Sequence, residues 1–259
     1  MSEKNREAKR SARERLTEER ERQKARDKRR RALIVGAAVV GVLGLAAVVG
    51  LLAAGSGDDE KDTSGPVAVP KGATGQDELT LPLGKADAKS TLTIWEDFRC
   101  PACKGFEDAY RSTVHDLADQ GKLKVEYHLA TLIDGNMGGS GSLRAANAAA
   151  CAQDAGRFPA YHDVLFKNQP AETDDAFAKN DKLIELAGQV DGLVTDTFKK
   201  CVEDGAHDKW VTKSNKAFRD AKLQGTPTVL LNGKNIFSDQ RNPLTPQKLR
   251  RLVQDADKG

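Results

Sequence analysis

Residues 91–110, Thr-Leu-Thr-Ile-Trp-Glu-Asp-Phe-Arg-Cys-Pro-Ala-Cys-Lys-Gly-Phe-Glu-Asp-Ala-Tyr, change period halfway along, and that change decides the fold. Leu92, Ile94 and Trp95 stand among Thr91 and Thr93 in a β-rich run closing at Phe98 and Arg99, which reads as a buried strand. Beyond it Phe106, Tyr110, Val114 and Leu117 recur at helical spacing. Pro101 suits a first helical turn, where its missing N–H would have had no partner. Cys100 is thereby predicted at the helix N-cap and Cys103 one turn in, near the positive end of the macrodipole.

That placement carries chemistry. The thiolate is the nucleophile, and a helix N-terminus stabilises negative charge, so the Cys100 thiol is expected to ionise at lowered pH. The intervening Pro101 and Ala102 let Cys103 return within disulfide distance and resolve a mixed disulfide held on Cys100. The same C-x-x-C spacing makes half of a zinc site, but a zinc ribbon needs a second pair or an H-x-x-x-H. Cys151 and Cys201 stand singly, and His115, His128, His162 and His207 show no ligand spacing with one another or with a cysteine. Redox chemistry with no metal and no cofactor is the expectation.

The chain has 259 residues, 39% hydrophobic, enough for one good-sized domain and room for a second. Its net charge of +3 hides an asymmetry: residues 1–31 hold 14 Lys/Arg against 7 Asp/Glu, and the remainder holds 27 against 31. Leu16 is the only large aliphatic residue of that tail, so no core face exists there, and a solvated helix or disordered segment is expected. A nucleic-acid arm would want stacking aromatics and fewer acids; attraction to anionic lipid suits the composition better.

Ala32 to Ala54 is an unbroken run of Ala, Val, Leu, Ile and Gly, 23 residues long. At about 1.5 Å per residue it crosses a hydrocarbon core of about 30 Å, and it reads as a transmembrane helix. Arg29, Arg30 and Arg31 abut its start and Asp58, Asp59 and Glu60 follow its end, which places the N-terminus in the cytoplasm and the rest outside. A cleaved signal peptide ending near Ala53, Ala54 and Gly55 is the competing reading; the long charged n-region and the long apolar run oppose it. The cysteines are then in an oxidising compartment.

Residues 55–76, rich in Gly, Ser, Asp, Lys and Pro, read as a flexible linker. The globular part, 77–259, opens with Leu79, Leu81 and Leu83 alternating as in an edge strand. Lys122 to Leu132 carries Leu123, Val125, Tyr127 and Leu129 in alternation, a further strand that completes a β-α-β unit around Cys100. A block of four to five helices is expected from about 143 to 223, one of them setting Val194, Phe198, Cys201 and Val202 on an inward face. Thr228 to Leu231 is a short buried strand and Asn232-Gly233 a hairpin signal, with Ile236 and Phe237 beginning the return. A last helix has Thr245 as N-cap, Pro246 at its first position, and Leu249, Leu252 and Val253 as its buried stripe.

Asp97-Phe98-Arg99-Cys100-Pro101-Ala102-Cys103 and Gly225-Thr226-Pro227-Thr228-Val229, flanking a helical block, together make residues 77–257 resemble the DsbA-like branch of the thioredoxin superfamily. The chain is most similar to the membrane-anchored DsbA-like proteins of Gram-positive bacteria, particularly actinobacteria. The resemblance implies an α/β thioredoxin-like fold with a helical insertion, preceded by a single transmembrane helix. It also implies that Pro227 is a cis-proline facing the cysteine pair, leaving the Thr226 backbone to pair with an extended substrate chain; a strand-start proline is the alternative. Many relatives have a buried, proton-relaying acid six residues before the first cysteine. Ile94 stands there in this chain, and Glu96, Asp97 or water is expected to substitute. Pro-Ala also replaces the Pro-His of DsbA, whose potential of about −120 mV contrasts with about −270 mV for thioredoxin, so the potential stays open.

Two function classes follow. The first is an enzyme exchanging disulfides with unfolded or reduced secreted proteins, as oxidase, reductase or isomerase. The second is a tethered binding module whose cysteines form a static bridge or hold a metal. The compartment and the insertion favour an oxidase, reoxidised by a membrane partner that the resemblance implies to be of the DsbB or vitamin K epoxide reductase type. No dimer module is visible, so a monomer is expected, and small-residue spacings such as Ala37 to Gly41 are ordinary composition. Cys151 and Cys201 are expected to join in a structural disulfide, since an oxidising compartment rarely leaves two inward cysteines free; two separate buried thiols are the alternative.

Overall fold

The structure, a computed structural model, describes residues 66–239 and 241–258. The tail and transmembrane helix expected over 1–31 and 32–54 lie outside the described residues. Among the described residues no helix is long and apolar enough to cross a membrane.

Strands β1 (Leu81–Leu83), β2 (Ser90–Glu96), β3 (Leu123–Leu129), β4 (Thr228–Leu231) and β5 (Lys234–Asn235) form one sheet in the order β1-β3-β2-β4-β5. Helix α1 (Pro101–Asp119) carries the chain from β2 to β3, which pair in parallel from Ser90 opposite Leu123 to Glu96 opposite Leu129. Both β1–β3 and β2–β4 are antiparallel. The alternation of β3 is that of its sequence: Leu123, Val125, Tyr127 and Leu129 are buried, and Lys124, Glu126 and His128 between them are half-buried. At the far edge Asn232 and Gly233 both take positive φ, 49° and 80°, as a two-residue hairpin turn requires.

The return strand is shorter than expected and stops at Asn235. Ile236 N still donates to Val229 O at 3.0 Å, but the Asn235 side-chain oxygen then takes the N–H of Phe237 and of Ser238, turning the chain off the sheet. Phe237 packs edge-on against Phe106 and Tyr110 of α1 instead.

Between β3 and β4 lie α2 (Leu132–Met137), α3 (Gly141–Asp154), α4 (Phe158–Lys167), α5 (Asn180–Ala187), α6 (Asp196–Asp204) and α7 (Asp208–Asp220). Helix α2 was not expected; the strand predicted to reach Leu132 ends at Leu129, because the Asp97 carboxylate, distant in sequence, accepts from Ile133 N and starts a helix there. In α3, Ala145, Ala146, Ala148, Ala149, Ala150 and Ala152 are fully buried, and their small side chains let α4, α6 and α7 pack directly against it. A disulfide joins Cys151 of α3 to Cys201 of α6 across a Cα separation of 5.9 Å. Val194, expected to face inward, is 39% exposed: Thr195 caps the helix, its hydroxyl accepting from Phe198 N, so the buried face starts at Phe198.

The segment expected as the end of a flexible linker is held on the insertion. Lys71 N donates to Asp154 Oδ1 at 2.7 Å, Gln153 Nε2 to Lys71 O at 2.9 Å, and Ala68 O lies 2.8 Å from His207 Nδ1. At the other terminus, α8 (Pro246–Lys258) is capped by Thr245, whose hydroxyl accepts from Lys248 N, and it buries Leu249 and Val253 against α1 and β2.

The Cys151–Cys201 bridge spans a sequence separation of 50 residues. The chain-entropy account sets an upper figure of about 4 kcal/mol for a loop of that length. A Cys151→Ala/Cys201→Ala variant should therefore unfold at a lower urea midpoint, with a steeper slope because the unbridged unfolded chain exposes more surface; an unmoved midpoint would show that the bridge stabilises nothing.

Candidate active site

Strand β2 was expected to run on to Arg99 but ends at Glu96, because Asp97 turns the chain. Its carboxylate accepts from Arg99 N at 2.8 Å and its carbonyl from Cys100 N at 3.0 Å. The turn delivers Cys100 in extended conformation (φ −76°, ψ 117°) to the N-cap of α1, with Pro101 opening the helix and Cys103 one turn in. From the other side β4 brings the Thr226–Pro227 peptide, which is cis. Since Thr228 pairs with Trp95 near the end of β2, this peptide lies beside the cysteine motif, and the Cys100 thiol donates to Thr226 O at 3.3 Å.

The Thr226–Pro227 turn lies over Cys100 and leaves it 6% exposed, still the more exposed of the two sulfurs, since Cys103, inside the first turn, is 1% exposed. Both are free thiols, and among the described residues no third metal-ligating side chain converges on them.

Their acidities are driven apart. The Cys103 thiol is a donor to the Cys100 sulfur and holds its pKa down to about 6; burial opposes this, while the Thr226 hydroxyl and the N–H groups of Cys103 and Ala102 add to it. That hydroxyl is buried and otherwise without a partner, so it is free to turn to the thiolate. Burial first, and then the Cys100 sulfur itself, push the Cys103 thiol well above its ordinary value.

Residues of the insertion lock the motif. Arg99, 3% exposed, donates through Nη1 to Asp134 at 2.7 Å and to Gly138 O at 3.0 Å, through Nη2 to Glu172 O, and pairs with Asp175 at 2.9 Å. Gln169 Nε2 donates to Phe98 O at 2.8 Å and to Cys100 O at 3.0 Å. Lys104 Nζ donates to Phe166 O at 2.9 Å. None of these roles was read from the sequence; Arg99 alone carried a signal, an arginine between a buried strand and a cysteine.

Beneath the pair, Ile94 is fully buried in the sheet and supplies no acid. Of the two substitutes, Asp97 has both oxygens committed to backbone N–H groups, of Arg99 and of Ile133, and burial pushes it up to about 6. Glu96 is different: Oε1 meets His162 Nε2 at 2.8 Å, and Oε2 is buried with no partner. Glu107, one helical turn beyond Cys103 on the same buried face, completes the cluster and is pushed up to about 7 by burial. Burial works against a charge on His162, but the Glu96 carboxylate and Asp163 overcome it and hold the ring up to about 10.

A family model described as thioredoxin matches residues 76–255. Disulfide bond formation protein D of Bacillus subtilis (strain 168) is 29% identical over 162 residues, 61% of this chain and 70% of that protein. Among solved structures, the reduced disulfide bond oxidoreductase DsbG of Mycobacterium tuberculosis superposes with a TM-score of 0.61 at 28% identity, covering 72% of this chain and 90% of that one. Oxidised DsbA of the same organism gives 0.58 at 29% identity, covering 68% and 92%. With its buried C-P-x-C pair at a helix N-terminus and a cis-proline beside it, the chain belongs to the thioredoxin family, as a DsbA-like thiol:disulfide oxidoreductase.

Proposed function

We propose that this protein is a membrane-tethered, extracytoplasmic oxidase that introduces disulfides into secreted proteins through Cys100 and Cys103. The divergence of the two thiol acidities carries the direction. With Cys100 held at about 6, roughly 90% of it is thiolate at pH 7, which stabilises the reduced pair by about 1.4 kcal/mol, or about 30 mV toward oxidising power. Measured from thioredoxin, whose nucleophile ionises near 7, the same arithmetic leaves about 1.0 kcal/mol, or about 20 mV of the roughly 150 mV between thioredoxin and DsbA, and its sign favours accepting electrons from substrates.

In the oxidised enzyme a substrate thiolate attacks Cys100 Sγ and displaces Cys103. A second substrate thiol, deprotonated, attacks the sulfur bound to Cys100, and Cys100 leaves as the stabilised thiolate. The substrate gains a disulfide, and the enzyme keeps the two electrons until a membrane partner of the DsbB or vitamin K epoxide reductase type removes them. The Thr226 backbone, presented by the cis-Pro227 turn, pairs with the extended substrate. Glu96, whose Oε2 has no other partner, exchanges the Cys103 proton.

Cys103→Ala should accumulate mixed disulfides with secreted proteins, and Cys100→Ala should trap few. Alkylation of Cys100 should titrate near pH 6. Because this folded pKa lies below the unfolded one, its contribution to the stability of the reduced form is complete above about pH 8.5 and is lost as the pH falls through about 6. An ordinary thiol titration with no trapped partner would point to a binding module, and a potential near that of thioredoxin to a reductase.

Glu96→Gln should slow closure of the Cys100–Cys103 disulfide on the order of 100-fold near neutral pH, the lower end for a lost proton acceptor. An unchanged rate and pH profile would return the role to water.

The tether rests on the 23-residue apolar run and its charged flanks. Protease added to intact spheroplasts should digest the chain beyond about residue 60 and spare the N-terminal tail. A soluble mature form starting near Gly55 would remove the tether from this reading.

A further inference from the structure

We propose that His162 and Asp163 carry the proton of Cys103 between the buried Glu96 carboxylate and solvent, which makes α4 of the insertion a working part of disulfide exchange. The inference rests on the role given to Glu96 above and extends it outward. Cys103, Glu96 and His162 are each 1% exposed, so a proton that Cys103 passes to Glu96 has still to cross the protein. A line of polar atoms leads it out. Glu96 Oε1 lies 2.8 Å from His162 Nε2, His162 Nδ1 lies 3.3 Å from Asp163 Oδ1, and the Asp163 side chain is 27% exposed.

The surroundings favour this line over its neighbours. The rings of Phe98, Tyr127, Phe158 and Phe166 pack about the imidazole with centroids 5.7, 4.7, 5.4 and 5.0 Å away, so its two nitrogens are the polar way through an aromatic shell. Tyr127 of β3 keeps its own proton, because burial pushes its hydroxyl well above the ordinary range. Glu107 of α1 shares the cluster, with a carboxylate oxygen within 4.8 Å of the Glu96 and His162 atoms. Its ion-pair partner is Arg111 at 3.7 Å, and a guanidinium releases no proton, so that branch leads nowhere. Arg111 also pairs with Asp163 Oδ1 at 3.1 Å, and the half-buried His115 lies 3.7 Å from the same oxygen. The outer end of the line is thus held as a carboxylate at the surface.

With carboxylates at both nitrogens the ring is an imidazolium that donates to each. Burial works against that charge, and the Glu96 carboxylate and Asp163 sustain it. The dependence on Glu96 makes the relay. To close the pair, the Cys103 thiol gives its proton to Glu96 Oε2 and its sulfur attacks Cys100 Sγ; the Cys100–Cys103 bond forms as the bond from Cys100 to the departing thiolate breaks. Protonation of Glu96 removes the charge that sustained the imidazolium, and His162 releases its Nδ1 proton to Asp163, which passes it to solvent. When a substrate thiolate opens the pair, Cys103 leaves as a thiolate, Glu96 returns its proton to that sulfur, and the ring takes one back through Asp163. One proton leaves for each disulfide closed and one enters for each opened.

The test mixes the reduced full chain with oxidised glutathione and follows closure of the Cys100–Cys103 disulfide by stopped flow across neutral pH. His162→Gln keeps a hydrogen-bond donor for Glu96 but cannot ionise. It should slow closure on the order of 100-fold, as Glu96→Gln does, and the double variant should be no slower than either, since both stand on one path. The pH profile separates a relay from mere damage to the packing. Without the relay only thiolate already formed can attack, so the rate should climb about tenfold per pH unit where that of the unaltered chain is level. Asp163→Asn, at the surface, should slow closure with the same change of slope, and it decides the matter if His162→Gln does not fold. An unchanged rate in either variant beside a slowed Glu96→Gln, a double variant slower than both singles, or slowing with an unaltered pH slope would overturn the relay and leave Glu96 its role; an unchanged rate in Glu96→Gln would overturn both.

Discussion

A single buried guanidinium ties the reactive turn to the helical insertion. Arg99 precedes the nucleophile, and its two carboxylate partners, Asp134 and Asp175, also receive the N–H groups of Ser140, Gly141, Ser142 and Leu143. Those are the donors that the first turn of α3 leaves unmatched. Desolvating three charges costs several kcal/mol each, and the arrangement holds only because nearly every polar atom has a second partner. Its packing leaves no room for side chains: a Cβ on Gly139 or Gly141 would strike the Asp175 carboxylate, and Gly139 also takes φ +95°. Removing one member of such a set exposes the others unpaired, which typically costs 3–5 kcal/mol. The motif's orientation and the insertion's entry therefore stand or fall together.

From that fixed turn the chemistry follows with little further apparatus. Cys100 and Cys103 occupy one helical turn, yet their thiols shift in opposite directions, because one proton serves two sulfurs. Cys103, the more deeply buried, keeps it and donates it to the Cys100 thiolate. Below the pair, the Glu96 carboxylate adds a smaller contribution to the rise of the Cys103 thiol. A gradient of burial along the helix thus does the work that a dedicated basic side chain would do in an open site.

How much of this is legible in the sequence depends on the range of the interaction. The strand-to-helix switch at Cys100, the alternation of β3, the Asn232-Gly233 turn and the Thr245 cap all depend on neighbours a few residues apart, and each is written in its window. The short helix from Leu132 is started by Asp97 from 36 residues away, and Gln169 reaches the Cys100 carbonyl across 69; no local pattern encodes either. The same reason hid His162. A histidine on an apolar helix face reads as core packing, and only the packing of α4 on the sheet, with the ring against Tyr127, brings it to Glu96. Residues 68–71 looked like linker by composition because what holds them is backbone, and their contacts to Asp154, Gln153 and His207 leave no trace in side-chain chemistry.

The contact between Cys100 and Thr226 links ionisation to substrate pairing. As a thiol, Cys100 donates its hydrogen to Thr226 O. A thiolate has no hydrogen to give, so ionisation removes that bond and sets two electron-rich atoms facing each other. The sulfur then takes donors from the Cys103 thiol and from the Thr226 hydroxyl, which has no other partner. The Thr226 carbonyl is left with an open lone pair beside the reactive sulfur. On the proposed reading, a substrate chain lying along the cis-Pro227 turn would supply the missing donor from its own backbone, where any residue except proline carries one. Selection would then fall on an extended, unfolded backbone rather than on a particular side chain, as an enzyme acting on many sequences requires.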